Sequence, residues 1–565
     1  MITFTSLEKK VVDLLSVDGE YNKNKIEECL MKYSEDRRKS FVLFVTRVVP
    51  PEAVEETTKK MYKNLEKFDD FILDLEITNG ALMFNINMNK FTKEVITTIL
   101  TKGDTFGSIE NKTGENILLD YSSPNIAKIF HVGHFRTTIL GNFIKNLYKF
   151  NGYNPISINY LGDWGKQFGL VLLGYKKFGD PEKLKTEPLM HLFHVYVEVN
   201  KHKELQQEAR DIFKAMEEDQ NEEYLNQWRE FRKLSIKNFV SLYDKLNVQF
   251  DVYSGESFYN VRAKEFALNC IRSIDDGDGS LVFDCGKKLG KALLLKSDGT
   301  TLYITRDIVA IKERFEEYLP KKIIYVVSSE QKLHFEQLFH IAGELGYDKS
   351  KLLHVDFGLV KGMSTREGTV HFIDDVIETA QSVFYDFVKD KNDVLDKEMT
   401  SLTLAISFLI INDFSAKRIK GYTFDIKKKA TTQKGQALGP TLQYTHCRLC
   451  SILEVNKNLT AFDDISVLDN INLELLGQDS MTNGLLYKLM WFEQINIQTL
   501  KDYEPSKFVF YLQDLCGLIN LAINKCRVKD EENELAKARL ALFKAAQIVL
   551  HNGLIVLGLK PLTKM

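Results

Sequence analysis

Apolar positions along the chain change their period more than once. Ser40 to Val49 is dense in Val and Phe, a strand pattern stopped by Pro50-Pro51, and Pro51 opens a charged helix expected to reach about Phe68. Leu82, Phe84 and Ile86 alternate with smaller or polar neighbours from Ala81 to Asn87, a second strand, and Thr92 to Thr101 reads as a short helix. Residues 1 to about 110 thus predict a small α+β unit.

From Asn116 the pattern becomes strand, helix, strand. The run Ile117-Leu118-Leu119 leads into the polar turn Ser122-Ser123-Pro124-Asn125. Phe135, Ile139, Phe143, Ile144 and Leu147 then recur at helical spacing within His131 to Phe150, and Ile156, Ile158 and Tyr160 mark a strand from Pro155 to Tyr160. Such a βαβ unit predicts a parallel sheet. A second one is expected far downstream, with strand Ile323 to Val327, helix Gln331 to Leu345 and strand Leu352 to Val360. Between them, Pro181 to Asn247 is a charged helical insertion. Asp298-Gly299-Thr300 is expected to turn a hairpin between strands Leu293–Lys296 and Leu302–Thr305. From Met399 to Met565 the period is helical almost throughout.

Composition narrows this picture. The 565 residues are 44% hydrophobic and 27% charged, globular values that exclude a disordered chain. Lys and Arg number 75 against 78 Asp and Glu, so a nucleic-acid surface must be a local patch. Residues 401–565 do carry 20 basic against 16 acidic residues, seven of the basic ones between Lys417 and Lys434. A solvated face is the bland reading of that cluster; a phosphate-contacting face is the other. Seven Cys without a framework fit a reducing compartment. No apolar run reaches the ~18–20 residues of a membrane span, Leu402 to Ile411 being about half that.

Two constellations carry chemistry. His131-Val132-Gly133-His134 stands where a parallel strand hands over to a helix, whose first turn offers unpaired N–H groups to phosphate. Two imidazoles three residues apart can donate to a phosphorus centre as charge grows there, and Lys128 adds a cation to the same mouth. Gly362-Met363-Ser364-Thr365-Arg366-Glu367-Gly368 suits a hinged loop over polyphosphate. Taken alone, the first could be two ordinary histidines and the second a surface turn; together they can meet at the carboxyl edge of one sheet. Cys447-x-x-Cys450 beside His446, and His191-x-x-His194, read as structural groups rather than metal sites.

The motifs Asp120 to Lys128, His131-Val-Gly-His134, Asn159-Tyr-Leu-Gly-Asp-Trp-Gly-Lys-Gln-Phe168, Asp298 to Asp307, Val360 to Gly368, Leu442-Gln-Tyr-Thr-His446 and Leu557-Gly-Leu-Lys-Pro together resemble the signature of arginyl-tRNA synthetases, class I ligases, across essentially the whole chain. The likeness is to the shorter fungal and animal-mitochondrial branch. It implies an α/β fold class: an α+β N-terminal domain (1–110) contacting the tRNA elbow, a Rossmann-like parallel-sheet catalytic domain with helical insertions (111–395) and an all-α anticodon-binding domain (396–565).

The resemblance also implies ATP as substrate with Mg²⁺, L-arginine and tRNA(Arg) as partners, a monomer, no membrane, and tRNA needed even for the activation step. Implied catalytic residues are His131, His134 and Lys128; ATP would lie on His131, Gly133, His134, Met363, Ser364, Thr365 and Arg366. Arginine would lie on Asp120, Asn125, Tyr303, Asp307 and Gln331, and tRNA on Asn85, Lys417, Arg418, Lys428 and Tyr444. No residue is assigned to a metal. The chain departs from the class loop, which reads Lys-Met-Ser-Lys-Ser: here Gly362 replaces the first lysine, Arg366 follows Thr365 and the second lysine is missing too, which makes Lys128 the candidate for the missing charge. It departs again at Thr441, where a bulkier residue is usual. The branch implies the mitochondrial matrix, whereas Glu8, Asp13, Asp18 and Glu20 without Arg near the start are a cytoplasmic composition. A small-molecule nucleotidylyltransferase and a non-enzymatic RNA-binding paralogue are the rival readings.

Overall fold

The computed structural model describes residues 12, 26, 30–32, 39–64, 72–78, 81–109, 114–128, 130–270, 272–361, 373–423, 438–462, 464–477 and 480–565. They divide into two compact units: residues 111–387 with 401–434 in one, and 1–110 with 388–400 and 435–565 in the other.

The first unit is built on five parallel strands, β1 (Asn116–Asp120), β2 (Asn154–Leu161), β3 (Val252–Gly255), β4 (Lys322–Ser328) and β5 (Leu352–Phe357), in the order β5-β4-β1-β2-β3. Ile117 stands opposite both Pro155 and Lys322 across the ladders, so β1 is central and hydrogen-bonded on both sides. The chain runs outward one way through β2 and β3, then returns to fill the other side with β4 and β5. Order reverses between β1 and β4, and such sheets bind ligands at the carboxyl ends of strands flanking that reversal.

Helix α1 (Val132–Phe150) connects β1 to β2 and lies so close that a Cβ on Gly141 would fall 2.1 Å from the Tyr121 ring. Its Thr137 hydroxyl donates to the Val326 carbonyl of β4 at 2.6 Å. The opposite face carries Leu118, Ile158, Ile323 and Tyr325. These residues pack against Ile304, Ile308 and Ile311 of α3 (Tyr303–Tyr318) and Phe335, Leu338 and Ile341 of α4 (Lys332–Glu344). The charged insertion forms helices Pro181–Thr186, Pro188–Lys201, Gln206–Glu217 and α2 (Glu222–Lys245).

Sequence expectation and structure part most widely at one element. Asp298-Gly299-Thr300 does turn the chain, with Asp298 accepting from Thr300 N–H and Gly299 at φ +77°. The second hairpin strand is absent: a single bridge joins Leu295 to Thr301, and residues 303–318 are helix. Ile304 and Ile308, one turn apart, are buried on one helix face, and tertiary packing of that face overrides the β-branched local signal. Short strands Val360–Lys361 and Tyr422–Thr423 pair in parallel, interrupting the helical C-terminal stretch.

The second unit has an antiparallel sheet, Leu30–Lys32, Lys39–Phe44, Ala81–Ile86, Ile72–Thr78, and helix Met88–Lys102. The predicted strand to Val49 ends at Phe44 and the predicted helix begins earlier, at Met88. That helix packs on a bundle of Leu438–Val455, Ser480–Asp502, Pro505–Lys525 and Asn533–Val556, with Asn552 Nδ2 donating to the Gly103 and Phe106 carbonyls. Helix Asn533–Val556 is apolar enough over 18 residues to span a membrane, but 72% of that window is buried in the bundle.

Candidate active site

His131 is the N-cap of α1. Its Nδ1 accepts from Gly133 N–H at 3.0 Å, and the Nδ1 of His134 accepts from His131 N–H at 3.3 Å. With both Nδ1 atoms serving as acceptors, the ring protons sit on the two Nε2 atoms. The rings stack 3.9 Å apart, so two N–H donors are presented side by side. Loss of hydration, then the charge of Lys128, holds His131 below the usual 6.5; desolvation, then His131 and Lys128, holds His134 well below it. Both imidazoles are therefore neutral donors near neutral pH. Lys128 is exposed at the rim of the same turn.

Ser122 and Ser123, which follow β1, hold φ of 71° and 48°, a strained pair of turn residues. They bring Asn125 against the end of β2, where it bridges to Gly162 and accepts from Ala127 N–H at 2.9 Å. A side chain at Gly162 would press on Asn125 Nδ2 at 3.2 Å. Asp120, buried at the end of β1, accepts from Arg314 at 2.7 Å and from the Ser123 hydroxyl at 3.0 Å. Burial raises its pKa, opposed by Arg314 and reinforced by Asp307.

The helical start at residue 303 places Tyr303 and Asp307 one turn apart on α3, so Asp307 lies inside the helix rather than capping it. Asp307 Oδ2 bonds His334 Nε2 at 2.7 Å, tying α3 to α4, whose N-cap is Gln331. Gln331 is exposed just past the carboxyl end of β4. Tyr303 is 60% exposed, with Arg306 5.6 Å from its ring centre. The histidine helix and the α3–α4 pair thus cover opposite faces of the sheet and present their groups over its carboxyl edge.

Sequence reasoning missed Glu256, in the turn after β3. It is buried, accepts from Arg306 at 2.6 Å, and is pushed up to about 8 by burial, opposed by Arg306 and reinforced by Asp307 and Asp163. The signal was slight: a lone Gly255-Glu256-Ser257 after a strand. Three carboxylates, Asp120, Glu256 and Asp307, therefore gather at this edge. Arg314 meets the first and Arg306 the second; among the described residues no arginine or lysine meets Asp307.

Arg136, on α1 one residue beyond Phe135, was also unforeseen. It is 1% exposed and donates to the carbonyls of Gly358, of Lys420 at 3.0 Å and of Arg418 at 3.1 Å, with Asp413 3.4 Å from its Nε. It fastens the histidine helix to the segment entering Val360–Lys361.

The remaining expectations divide by place. Met363, Ser364, Thr365, Arg366 and Lys428 lie outside the described residues. Asn85 lies in strand Ala81–Ile86, opposite Lys39 and Asp74. Lys417 and Arg418 belong to the sheet-bearing unit; Lys417 is exposed, and Arg418 bonds Asp356 at 2.9 Å. Tyr444 is 49% exposed on helix Leu438–Val455, while Gln443 and His446 of the same motif bind the chain's end through Lys560 and Leu562. Cys447 is buried in that helix, and His191 accepts the Asp180 N–H at 2.8 Å, so neither faces an open site.

Comparison with known proteins adds a second, independent line. Residues 95–426 match the family model "tRNA synthetases class I (R), catalytic domain", and residues 442–565 match "DALR anticodon binding domain". The chain is 46% identical to an arginine–tRNA ligase of Encephalitozoon cuniculi, covering 100% of both chains. It is 35% identical to a probable cytoplasmic arginine–tRNA ligase of Dictyostelium discoideum over 99% of this chain and 100% of that one, and 35% identical to a probable mitochondrial one of Homo sapiens over 91% and 90%. The Thermus thermophilus arginyl-tRNA synthetase structure superposes with a TM-score of 0.79 at 21% identity, covering both chains fully, a likeness of fold.

Proposed function

The chain belongs to the class I arginyl-tRNA synthetases, and from that premise we propose how its residues divide the work. The activity is ATP-dependent ligation of L-arginine to tRNA. A carboxylate oxygen of arginine attacks the α-phosphorus of ATP, the bond to pyrophosphate breaks, and arginyl-adenylate forms. The 2′-hydroxyl of the terminal adenosine of tRNA(Arg) then attacks the activated carbonyl and AMP leaves.

Neutral His131 and His134 donate their Nε2 protons to the α-phosphate oxygens, where charge accumulates as the P–O bond breaks. Gly133, with Met363, Ser364, Thr365 and Arg366, holds ATP, and Lys128 supplies the charge of the lysine that the loop lacks. Asn125 and Gln331 hold the α-amino and carboxylate end. Asp307 takes the guanidinium, with Tyr303 beside it and Asp120 adding negative charge, since a planar fork of N–H donors is best met by a carboxylate. The observation that carries this reading is the pairing at the sheet edge: Asp120 and Glu256 each have an arginine of the protein, whereas Asp307 meets only the His334 ring through Oδ2 among the described residues and keeps Oδ1 for a cation from outside. Mg²⁺ would arrive with the triphosphate, whose oxygens are its ligands, and no residue of the chain is proposed to hold it.

Asn85, Lys417, Arg418, Lys428 and Tyr444 are the proposed tRNA contacts. Residues 1–110, 111–395 and 396–565 are the proposed elbow-binding, catalytic and anticodon-binding domains of a monomer that needs no membrane. Relatives include enzymes named cytoplasmic and mitochondrial. Placement in the matrix rests on the branch resemblance, and cytosolic fluorescence of a tagged full chain would reverse it. ATP–pyrophosphate exchange tests the whole reading: exchange should require both arginine and tRNA(Arg). Exchange with pantetheine phosphate or nicotinamide mononucleotide instead, or none from a folded sample, overturns it.

A further inference from the structure

Helix α2 of the charged insertion backs the turn that follows β1 and is fastened to it at two points. Ser235, wholly buried, donates to the Ile126 carbonyl at 3.3 Å. Tyr243, 1% exposed, is the second. Its ring lies among Phe130, Phe239 and Phe250, with centres 5.9, 6.4 and 4.9 Å away, and Phe130 is in turn 5.3 Å from the His134 ring.

The Tyr243 hydroxyl has a separate task. Asn159 Nδ2 donates to it at 3.0 Å, so its own proton goes to the Ser122 hydroxyl 2.8 Å away. Burial holds the phenol above its usual range, and that proton stays in place. The other polar groups of the turn are met as well. Ser122 N–H donates to the Thr137 hydroxyl at 3.2 Å, Ser123 N–H to Asn159 Oδ1 at 3.2 Å, and the Ser123 hydroxyl to Asp120. The Thr138 hydroxyl bonds the Ser122 hydroxyl at 2.7 Å and the His134 carbonyl at 2.6 Å. One phenol therefore stands behind both the turn that leads to Asn125 and the helical turn that carries His134.

Two consecutive non-glycine residues at φ 71° and 48° persist only where their surroundings over-determine them. Without the Tyr243 hydroxyl, the buried Asn159 amide has a donor with no acceptor, and relieving it means giving up the bond to Ser123. We propose that Tyr243 is a positioning residue for adenylate formation: its hydroxyl keeps the strained Ser122–Ser123 turn, which sets Asn125 at the amino-acid end and His134 at the phosphate. The proposal rests on the arginine–tRNA ligase reading and adds to it a group that touches no substrate.

Tyr243→Phe in the full chain removes one oxygen and keeps the ring in its aromatic surroundings. With rates expressed per titrated active site, KM for arginine should rise about three- to tenfold and single-turnover adenylate formation should slow by a similar factor, while KM for tRNA(Arg) stays in place. Adding Ser122→Gly should return both values toward wild type, because glycine holds a φ near 71° without help. Ser122→Ala removes the same bond from the side of the turn. It should show the deficit by itself, even if Tyr243→Phe does not fold, and add little to it in combination. A lowered unfolding temperature with KM for arginine and the rate unchanged, no recovery with Ser122→Gly, or fully additive deficits would each overturn the proposal. A wild-type chain that shows no exchange with arginine and tRNA(Arg) removes the ligase reading itself, an outcome seen before any variant is made.

Discussion

Two backbone N–H groups determine how the histidines act. Because both Nδ1 atoms accept from the main chain, protonating either ring turns an acceptor into a donor and breaks a bond of the helix cap. Both folded pKa values lie below 6.5, so the neutral forms and the stability they contribute are complete above that value and are lost as pH falls beneath it. Single-turnover adenylate formation should be flat from about pH 7 to 8 and fall on the acid side; a rate that rises as pH drops below 6.5 would mean imidazolium is the active form. His134→Asn should lower that rate by about a hundredfold or more with little change in KM for arginine. In the proposed assignment, Asp307→Asn acts at the opposite end of the substrate. Removing one charge-assisted partner should raise KM for arginine about ten- to a hundredfold and narrow discrimination against lysine, read by exchange kinetics with both amino acids. The histidine helix start and the turn before it were legible as local motifs before any fold was known. Glu256 was not, because its partner Arg306 is fifty positions away and the pair exists only once β3 and α3 are adjacent.

At the level of elements, the misread hairpin shows where local pattern fails. Leu302 to Thr305 carries strand-forming side chains, yet the segment is the first turn of α3, and only that turn sets Tyr303 and Asp307 on neighbouring positions. The βαβ units were legible because β1 and β4 hold continuous apolar runs, as strands covered on both faces do, and because Ile156, Ile158 and Tyr160 alternate with polar neighbours in β2. What no periodicity could show is the fastening of α1 to distant backbone by Arg136. Its replacement by Met would take a guanidinium away from the buried Asp413 and the donor away from three carbonyls, an expected loss of about 3–5 kcal/mol. Urea unfolding should show it, with part of the loss recovered on adding Asp413→Asn; no recovery would mean that the carbonyl contacts, not the charge pair, carry the stability.

For the molecule as a whole, the C-terminal motif Leu442-Gln-Tyr-Thr-His446 separates into two tasks. Gln443 and His446 are turned to the chain's own end, and His446, held near 4 chiefly by burial, stays neutral there. Tyr444 alone of the three points outward. Tyr444→Ala should raise KM for tRNA about tenfold with thermal stability unchanged, whereas Gln443→Ala should lower the unfolding temperature by a few degrees and leave KM for tRNA in place. A drop in stability with Tyr444→Ala would assign the ring to packing. The sequence could suggest that the motif mattered, but not which of its residues served the fold, since that depends on where the last six residues of the chain return.

The strand order also has a consequence for synthesis. β1 lies at the centre of its sheet, and the neighbour on one flank, β4, is translated about two hundred residues later. At ~5–20 residues per second a ribosome needs about ten to forty seconds to close that gap. During this interval the nascent chain displays an apolar strand with an unsatisfied edge, a substrate for holding chaperones and a seed for aggregation whenever elongation stalls between the two.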